Sequence, residues 1–420
     1  MKFRIQAASA TFRASALTMI ATGVLACASS PRAAPAPAAQ PAAQPAVQPD
    51  TQAQVAAVQR FTPLAQVDGA FVVRLGVDTL AIERYSRTSQ TLEGELIRRE
   101  PRTRVFRYRA TLDPDGRMST FEATVMDPPG GPPSQPVRLE FTGGVVETSV
   151  PSGDSLRTNR IPVQGIAIPW IGHSYALAEQ AIRQLFAEGI DSTTILQVGL
   201  GGQPPTAAYL RRRGPNVVEL EYFGAPIVIR VDDAGRVQSA DGSATATKVS
   251  VERVPTVSIA ELATSFADRP LGQLSTRDTV SATLGGATLT VDYGRPFTRG
   301  RTIWGGVVPW NEVWRTGANE ATHFTTSRDL VINGTMVPAG TYTLWTLPTA
   351  RGATLIVNRQ TGQWGTVYDP SQDLARIDVN LASLSEPMEQ FTIAFVPSSS
   401  GGVMRLMWGD REVRVPIIVR

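Results

Sequence analysis

The sequence predicts a mainly β protein, with a curved antiparallel sheet carrying one packed helix, followed by a C-terminal β-sandwich. Three observations predict it. Apolar and polar residues alternate with period two through most of residues 55–255, as they do in half-buried strands. One amphipathic helical stripe interrupts that alternation. Residues 278–420 then hold short strand-like runs separated by Gly and Pro turns, without helical segments between them. At 420 residues the chain exceeds one compact core, since domains typically run to roughly 100–200 residues. A hydrophobic content of 42% with 18% charged residues suits a chain that mostly folds.

Residues 1–26 read as an export signal. Lys2, Arg4 and Arg13 precede an apolar run from Ala14 to Ala26, too short for the roughly 20 apolar residues of a bilayer-spanning helix. Val24-Leu25-Ala26-Cys27 resembles a lipobox, which implies cleavage before Cys27 and lipidation of that cysteine. Cys27 is the only cysteine, so no disulfide forms within the chain. Ala28 and Ser29 follow, with no aspartate to retain the protein at an inner membrane. The lipoprotein resemblance therefore implies the outer membrane of a two-membrane cell, with the membrane itself as a partner through the lipid. Residues 1–26 contain no acid and carry the three cations that equal the formal excess of +3. The mature chain is near neutral without a Lys/Arg block, which gives no electrostatic case for nucleic acid.

Residues 27–54 hold the lipidated Cys27 and a linker. Positions 31–49 alternate Ala, Gln and Pro with a single charge, a composition that cannot bury enough apolar surface to fold. Such a segment acts as a spacer.

The domain expected over 55–255 has clear strand and turn signals. In Val217-Val218-Glu219-Leu220-Glu221-Tyr222-Phe223, Val218, Leu220 and Tyr222 share one face. Asp113-Pro114-Asp115-Gly116-Arg117 and Asp232-Asp233-Ala234-Gly235-Arg236 each lie between a pair of strand-like runs and read as hairpin turns. Leu177, Ala178, Ala181, Ile182, Leu185 and Phe186 form the helical stripe, with Glu179, Gln180, Arg183 and Gln184 opposite. Ser174 is the expected N-cap and Gly189 the stop. A connection over 256–277 carries a short helix around 259–266.

Residues 278–420 contain the runs Leu289–Tyr293, Thr341–Trp345, Phe391–Phe395 and Val413–Ile417. Trp304, Trp310, Trp314, Trp345, Trp364 and Trp408 all lie here. VDYGRPFTRGRTIWGGVVPWNEVWRTGANEATHF, followed by PAGTYTLWTLP and NRQTGQWGTVYD, resembles the bacterial domain of unknown function 2911 family. That resemblance covers about a third of the chain. It implies an exported β-sandwich and supplies no chemistry.

Four constellations bear on function. Gly172-His173-Ser174-Tyr175-Ala176 approaches the G-x-S-x-G nucleophile elbow. It makes Ser174 the catalytic residue of an alternative, a secreted serine hydrolase, although a serine that starts a helix commonly serves only as its cap. Zinc chemistry needs clustered Cys and His, and two histidines 150 positions apart do not supply it. No metal or cofactor is expected, since no phosphate-cradling or dinucleotide fingerprint appears. The stretch 293–323 combines Arg295, Arg301, Arg315, Asn319 and Glu320 with Trp304, Trp310 and Trp314. Such a surface suits a small-molecule, lipid or glycan ligand, and its plainer reading is a buried Arg315–Glu320 pair bracing a loop. Finally, a curved sheet with one helix can enclose a lipid-sized cavity, by fold-level analogy with periplasmic lipoprotein carriers. The preferred reading is a non-enzymatic envelope lipoprotein that binds a ligand or partner.

Overall fold

The computed structural model describes residues 67–222, 224–255 and 257–420. The signal, Cys27 and the linker lie outside the described residues. The first sheet begins with β1 (Val67–Leu75), β2 (Asp78–Arg87), β3 (Thr91–Arg98), β4 (Arg104–Leu112) and β5 (Met118–Met126). It continues with β6 (Val137–Thr142), β7 (Val145–Ser152), β8 (Ser155–Pro162) and β9 (Ile166–Trp170). Helix α1 (Tyr175–Ala187) follows, then β10 (Ser192–Gly199), β11 (Thr206–Gly214), β12 (Val217–Tyr222), β13 (Ala225–Val231), β14 (Val237–Asp241) and β15 (Ser250–Val254).

The strand order is β8-β7-β6-β5-β4-β3-β2-β1-β15-β14-β13-β12-β11-β10-β9. Only β9 and β10 run parallel, because α1 crosses between them. Strands β8 and β9 therefore stand at opposite edges of the order, yet only Val163, Gln164 and Gly165 join them. That link is possible because the twist of successive strands accumulates until the sheet curls round on itself. Arg157 of β8 donates to the Gly201 carbonyl, in the loop between β10 and β11, at 3.2 Å. Gly165 turns here at φ +86°, where an added Cβ would lie 2.8 Å from the Thr194 carbonyl oxygen. The chain passes at that point only as glycine.

Both expected hairpin turns form. The Asp113 carboxylate accepts from Arg117 N, and that of Asp232 accepts from Ala234 N and Arg236 N. Gly116 and Gly235 take φ +77° and +70°. Helix α1 starts after Ser174, whose hydroxyl accepts from Leu177 N, and the chain turns at Gly189 with φ +65°. Its apolar stripe packs with Phe71, Leu92, Leu96, Phe121 and Leu139 on the concave side of the sheet. The polar face differs from a solvated one: Glu179, Gln180 and Arg183 are buried as well. The reason is the curl, which surrounds the helix instead of supporting it from one side. Helix α2 (Ile259–Phe266) covers the opposite face of the sheet, packing with Val72, Ile82, Ile97 and Val105.

The second sheet opens with β16 (Ser275–Leu284), β17 (Ala287–Pro296), β18 (Thr322–Thr326), β19 (Leu330–Ile332) and β20 (Thr335–Val337). It closes with β21 (Gly340–Thr349), β22 (Gly352–Asn358), β23 (Asp373–Ser398) and β24 (Gly401–Val419). Its order is β16-β17-β18-β21-β22-β23-β24-β19-β20. The 26-residue β23 pairs first with β22 and then with β24, and its register breaks between Ser383 and Thr392. At those breaks the ladder bends, so one strand serves both layers of a sandwich. Tyr293 of β17 meets Phe391 of β23 edge-on at 5.7 Å, and its hydroxyl accepts from Ile393 N.

The two sheets touch along a seam. Arg299 donates to Asp78 at 2.7 Å, and Arg315 donates to the Ala246 carbonyl at 3.2 Å. Among the described residues no helix is long and apolar enough to cross a membrane.

Candidate functional site

The parallel β9–α1–β10 crossover places a strand–turn–helix at one end of the first sheet. At the turn His173 takes φ +71°, while Ser174 is extended. The first-turn amides of α1 would otherwise lack partners. Glu83 of β2 supplies one, accepting from Tyr175 N at 2.7 Å and Ala176 N at 2.9 Å. It also accepts from the Tyr108 hydroxyl at 2.7 Å and the Ser174 hydroxyl at 2.5 Å. Burial pushes the Glu83 carboxyl up, and the four hydrogen bonds oppose that shift. A carboxylate at a helix N-terminus is also favoured by the helix dipole. The Ser174 proton is therefore committed to a carboxylate and not to an imidazole. His323, the other histidine, accepts from Gly362 N in the second sheet. The geometry at Ser174 is that of a cap.

Beside this turn lies a cavity of about 480 Å³. Ile168, Trp170, Leu177, Leu220, Ile227 and Val249 give it an apolar wall. Arg98, Glu100, His173, Gln197 and Tyr222 add polar groups. Trp170 is half exposed. Burial and the neighbouring Arg98 lower His173 to about 4, so its ring is neutral at neutral pH. Burial pushes the Tyr222 phenol up to about 12. Glu100 lies 3.4 Å from Arg98 and 3.7 Å from His173. Asn319 and Trp364 complete the lining from the second sheet's loops.

The residues singled out in 293–323 separate into three groups. Trp304 and Trp314 are core: Trp304 donates to the Trp408 carbonyl at 2.8 Å, and Trp314 stacks on Trp408. Trp310 stacks over Trp304 at the edge of that cluster. Arg295 braces three strands, donating to Asp278, the Phe391 carbonyl and Thr392. The expected Arg315–Glu320 pair does not form. Left-handed turns at Thr316 (φ +52°) and Asn319 (φ +62°) redirect the chain between them. Arg315 is consequently buried against the first sheet, whereas Glu320 is exposed and pairs with Arg277 at 3.2 Å. Asn319 alone of the eight lines the cavity beside the α1 turn.

The loop that carries Asn319 also carries the Trp-Arg-Thr-Gly-Ala-Asn-Glu run. Residues 275–417 match the model of DUF2911, a protein of unknown function. The DUF2911 segment starts with the first residue of β16 and ends within β24, so it spans the whole sandwich. No curated protein matches the chain. Among solved structures, the chain is similar to a DUF1089 family protein from Pseudomonas aeruginosa. Identity is 18% and the TM-score 0.30, over 39% of this chain and 89% of that one. It is also similar to a beta-barrel-like protein of domain of unknown function DUF1849 from Brucella abortus. There identity is 11% and the TM-score 0.28, over 47% of this chain and 100% of that one. Neither similarity bears on function.

The DUF2911 segment thus contributes Asn319 and Trp364, and the first sheet contributes the rest. Period-two and helical patterns pointed to none of Arg98, Glu100, Trp170 or His173 as site residues. The usable signal was local: Trp170 and His173 flank a turn that ends one element and caps the next. Among the described residues no group of three or more His, Cys, Asp or Glu is placed to hold a metal ion.

Proposed function

We propose that this chain is an envelope lipoprotein, tethered through Cys27, that holds a small amphipathic molecule in the cavity beside the α1 turn. The observation that carries the reading is the cavity itself: apolar over most of its wall, with a few convergent polar groups and lining from both sheets. That is the usual character of a ligand site. The half-exposed Trp170 supports it, since a large aromatic left partly open beside an apolar cavity gains by being covered. The anchor rests on the sequence, through the lipobox-like run before Cys27 and the spacer after it.

Two measurements test the proposal. Cys27→Ser should move the protein from the membrane fraction to the soluble one, and retention after a carbonate wash overturns the anchor. N-phenyl-1-naphthylamine should bind the purified protein with a change in tryptophan emission. Thr206→Trp, which places a large side chain at the cavity lining, should abolish that binding while leaving the melting temperature within a few degrees. Equal binding by this variant overturns the cavity as the site.

A further inference from the structure

A second, smaller void of about 60 Å³ lies at the seam of the two sheets. Ala246, Thr247 and Asn319 line both voids. The charged groups lining the small one are all cations: Lys248, Arg301 and Arg315, with no Asp or Glu among them. Arg315 is 8% exposed and donates to the carbonyls of Gly317 and Ala246. Lys248 donates to the Ser243 carbonyl, and Arg301 to the carbonyls of Phe297 and Thr298. Among the described residues, the acceptors these three cations meet are backbone carbonyls.

Gathering three cations in a partly buried place is unfavourable, because burial costs each its hydration and like charges nearby add repulsion. The consequence is visible on Lys248, lowered to about 8 by burial and by Arg315 and Arg301. Glu312 and Asp241 act on it from outside the pocket, and Glu389 and Asp78 act likewise on Arg301. Burial alone lowers Arg315 to about 10. Among the described residues no carboxylate lines the pocket itself.

We infer that this pocket binds one small oxyanion, a phosphate or carboxylate group, between Lys248, Arg301 and Arg315. A guanidinium presents a planar fork that matches such a group, and an ammonium adds a point charge. A void of about 60 Å³ has room for a group of a few heavy atoms. The anion is either free or the head of an amphiphile whose apolar portion lies in the neighbouring cavity. The second source rests on the function proposed above.

Inorganic phosphate, dodecyl phosphate and dodecanol separate these cases on the purified protein at low salt, read by calorimetric titration and thermal melts. Inorganic phosphate should raise the melting temperature, or dodecyl phosphate should bind at least tenfold tighter than dodecanol. The first result identifies a free anion and the second a head group. Lys248→Gln should remove either gain without changing dodecanol binding, and Lys248→Arg should restore it. Lys248 donates to a loop carbonyl, so its variant tests the site even where Arg315→Gln fails to fold. Dodecanol and dodecyl phosphate binding equally, with no response to inorganic phosphate, overturns the anion site and leaves the cavity reading standing. Phosphate binding that Lys248→Gln leaves unchanged places the anion elsewhere and also overturns it. Inorganic phosphate binding with no uptake of either dodecyl compound upholds the anion site and counts against the cavity reading.

Discussion

Glu179 of α1 accepts a 2.5 Å hydrogen bond from Arg253 of β15, and the carboxylate is 1% exposed. It also accepts from the Tyr85 hydroxyl, Arg183 and Val237 N. One helical side chain thus ties together β2, β14 and β15 from inside the curled sheet. Glu179→Ala should leave Arg253 and Arg183 without their shared anion, and breaking a buried pair costs about 3–5 kcal/mol. Denaturant unfolding checks this, and a loss below about 1 kcal/mol would show that the network does not hold the helix.

His173 gives stability a pH dependence with a definite sign. Its folded value is about 4 against an ordinary 6.5, so between those pH values the unfolded chain binds the extra proton. Stability is fully present above pH 6.5, falls as pH drops through that window, and the contribution is gone below about 4. At about 1.4 kcal/mol per unit the full contribution is about 3.5 kcal/mol. Asparagine tolerates the left-handed backbone at this position, so His173→Asn should flatten the curve of unfolding free energy between pH 7 and 4.5. An unchanged slope would locate the acid sensitivity elsewhere.

Ser174 should behave as a cap. Ser174→Ala removes the acceptor of Leu177 N and a donor to Glu83, for a cost of about 1–2 kcal/mol. A fluorophosphonate probe should leave Ser174 unmodified. Stoichiometric labelling there would reinstate the hydrolase reading.

Glu320→Ala should be nearly silent. The side chain is exposed, its partner Arg277 is itself partly exposed, and exposed pairs contribute roughly 0–1 kcal/mol. A thermal melt that drops by more than a few degrees would mean the loop depends on this pair after all.

Gly294→Ala should be costly for a steric reason. An added Cβ would sit 2.1 Å from the Ala318 carbonyl oxygen, in the backbone of the Asn319 loop. Overpacking of this kind costs about 1–3 kcal/mol. Because the shifted loop carries Asn319 and abuts Arg315, phosphate and naphthylamine binding should weaken with it.

Local patterns determined much of this molecule. Alternation in Val217–Tyr222 specified which side chains turn inward, and Val218 and Leu220 are buried as it requires. Ser174 and Gly189 bounded α1, Asp113 and Asp232 formed their turns, and Ile259–Phe266 is helical over the span read from the sequence. Each of these depends on neighbours a few residues away, and such contacts are written in the order of the chain. Whether a polar residue faces water depends on what arrives from elsewhere. Glu179 and Arg183 look like a solvated face until β2 and β15 close around them, and Arg315 and Glu320 look like partners until two left-handed turns send them to Ala246 and Arg277. The same holds for the voids, whose walls join Arg98 to Asn319 and Lys248 to Arg315. Tertiary structure alone decided those meetings, because only the curl of the first sheet and its seam with the sandwich bring such distant positions together.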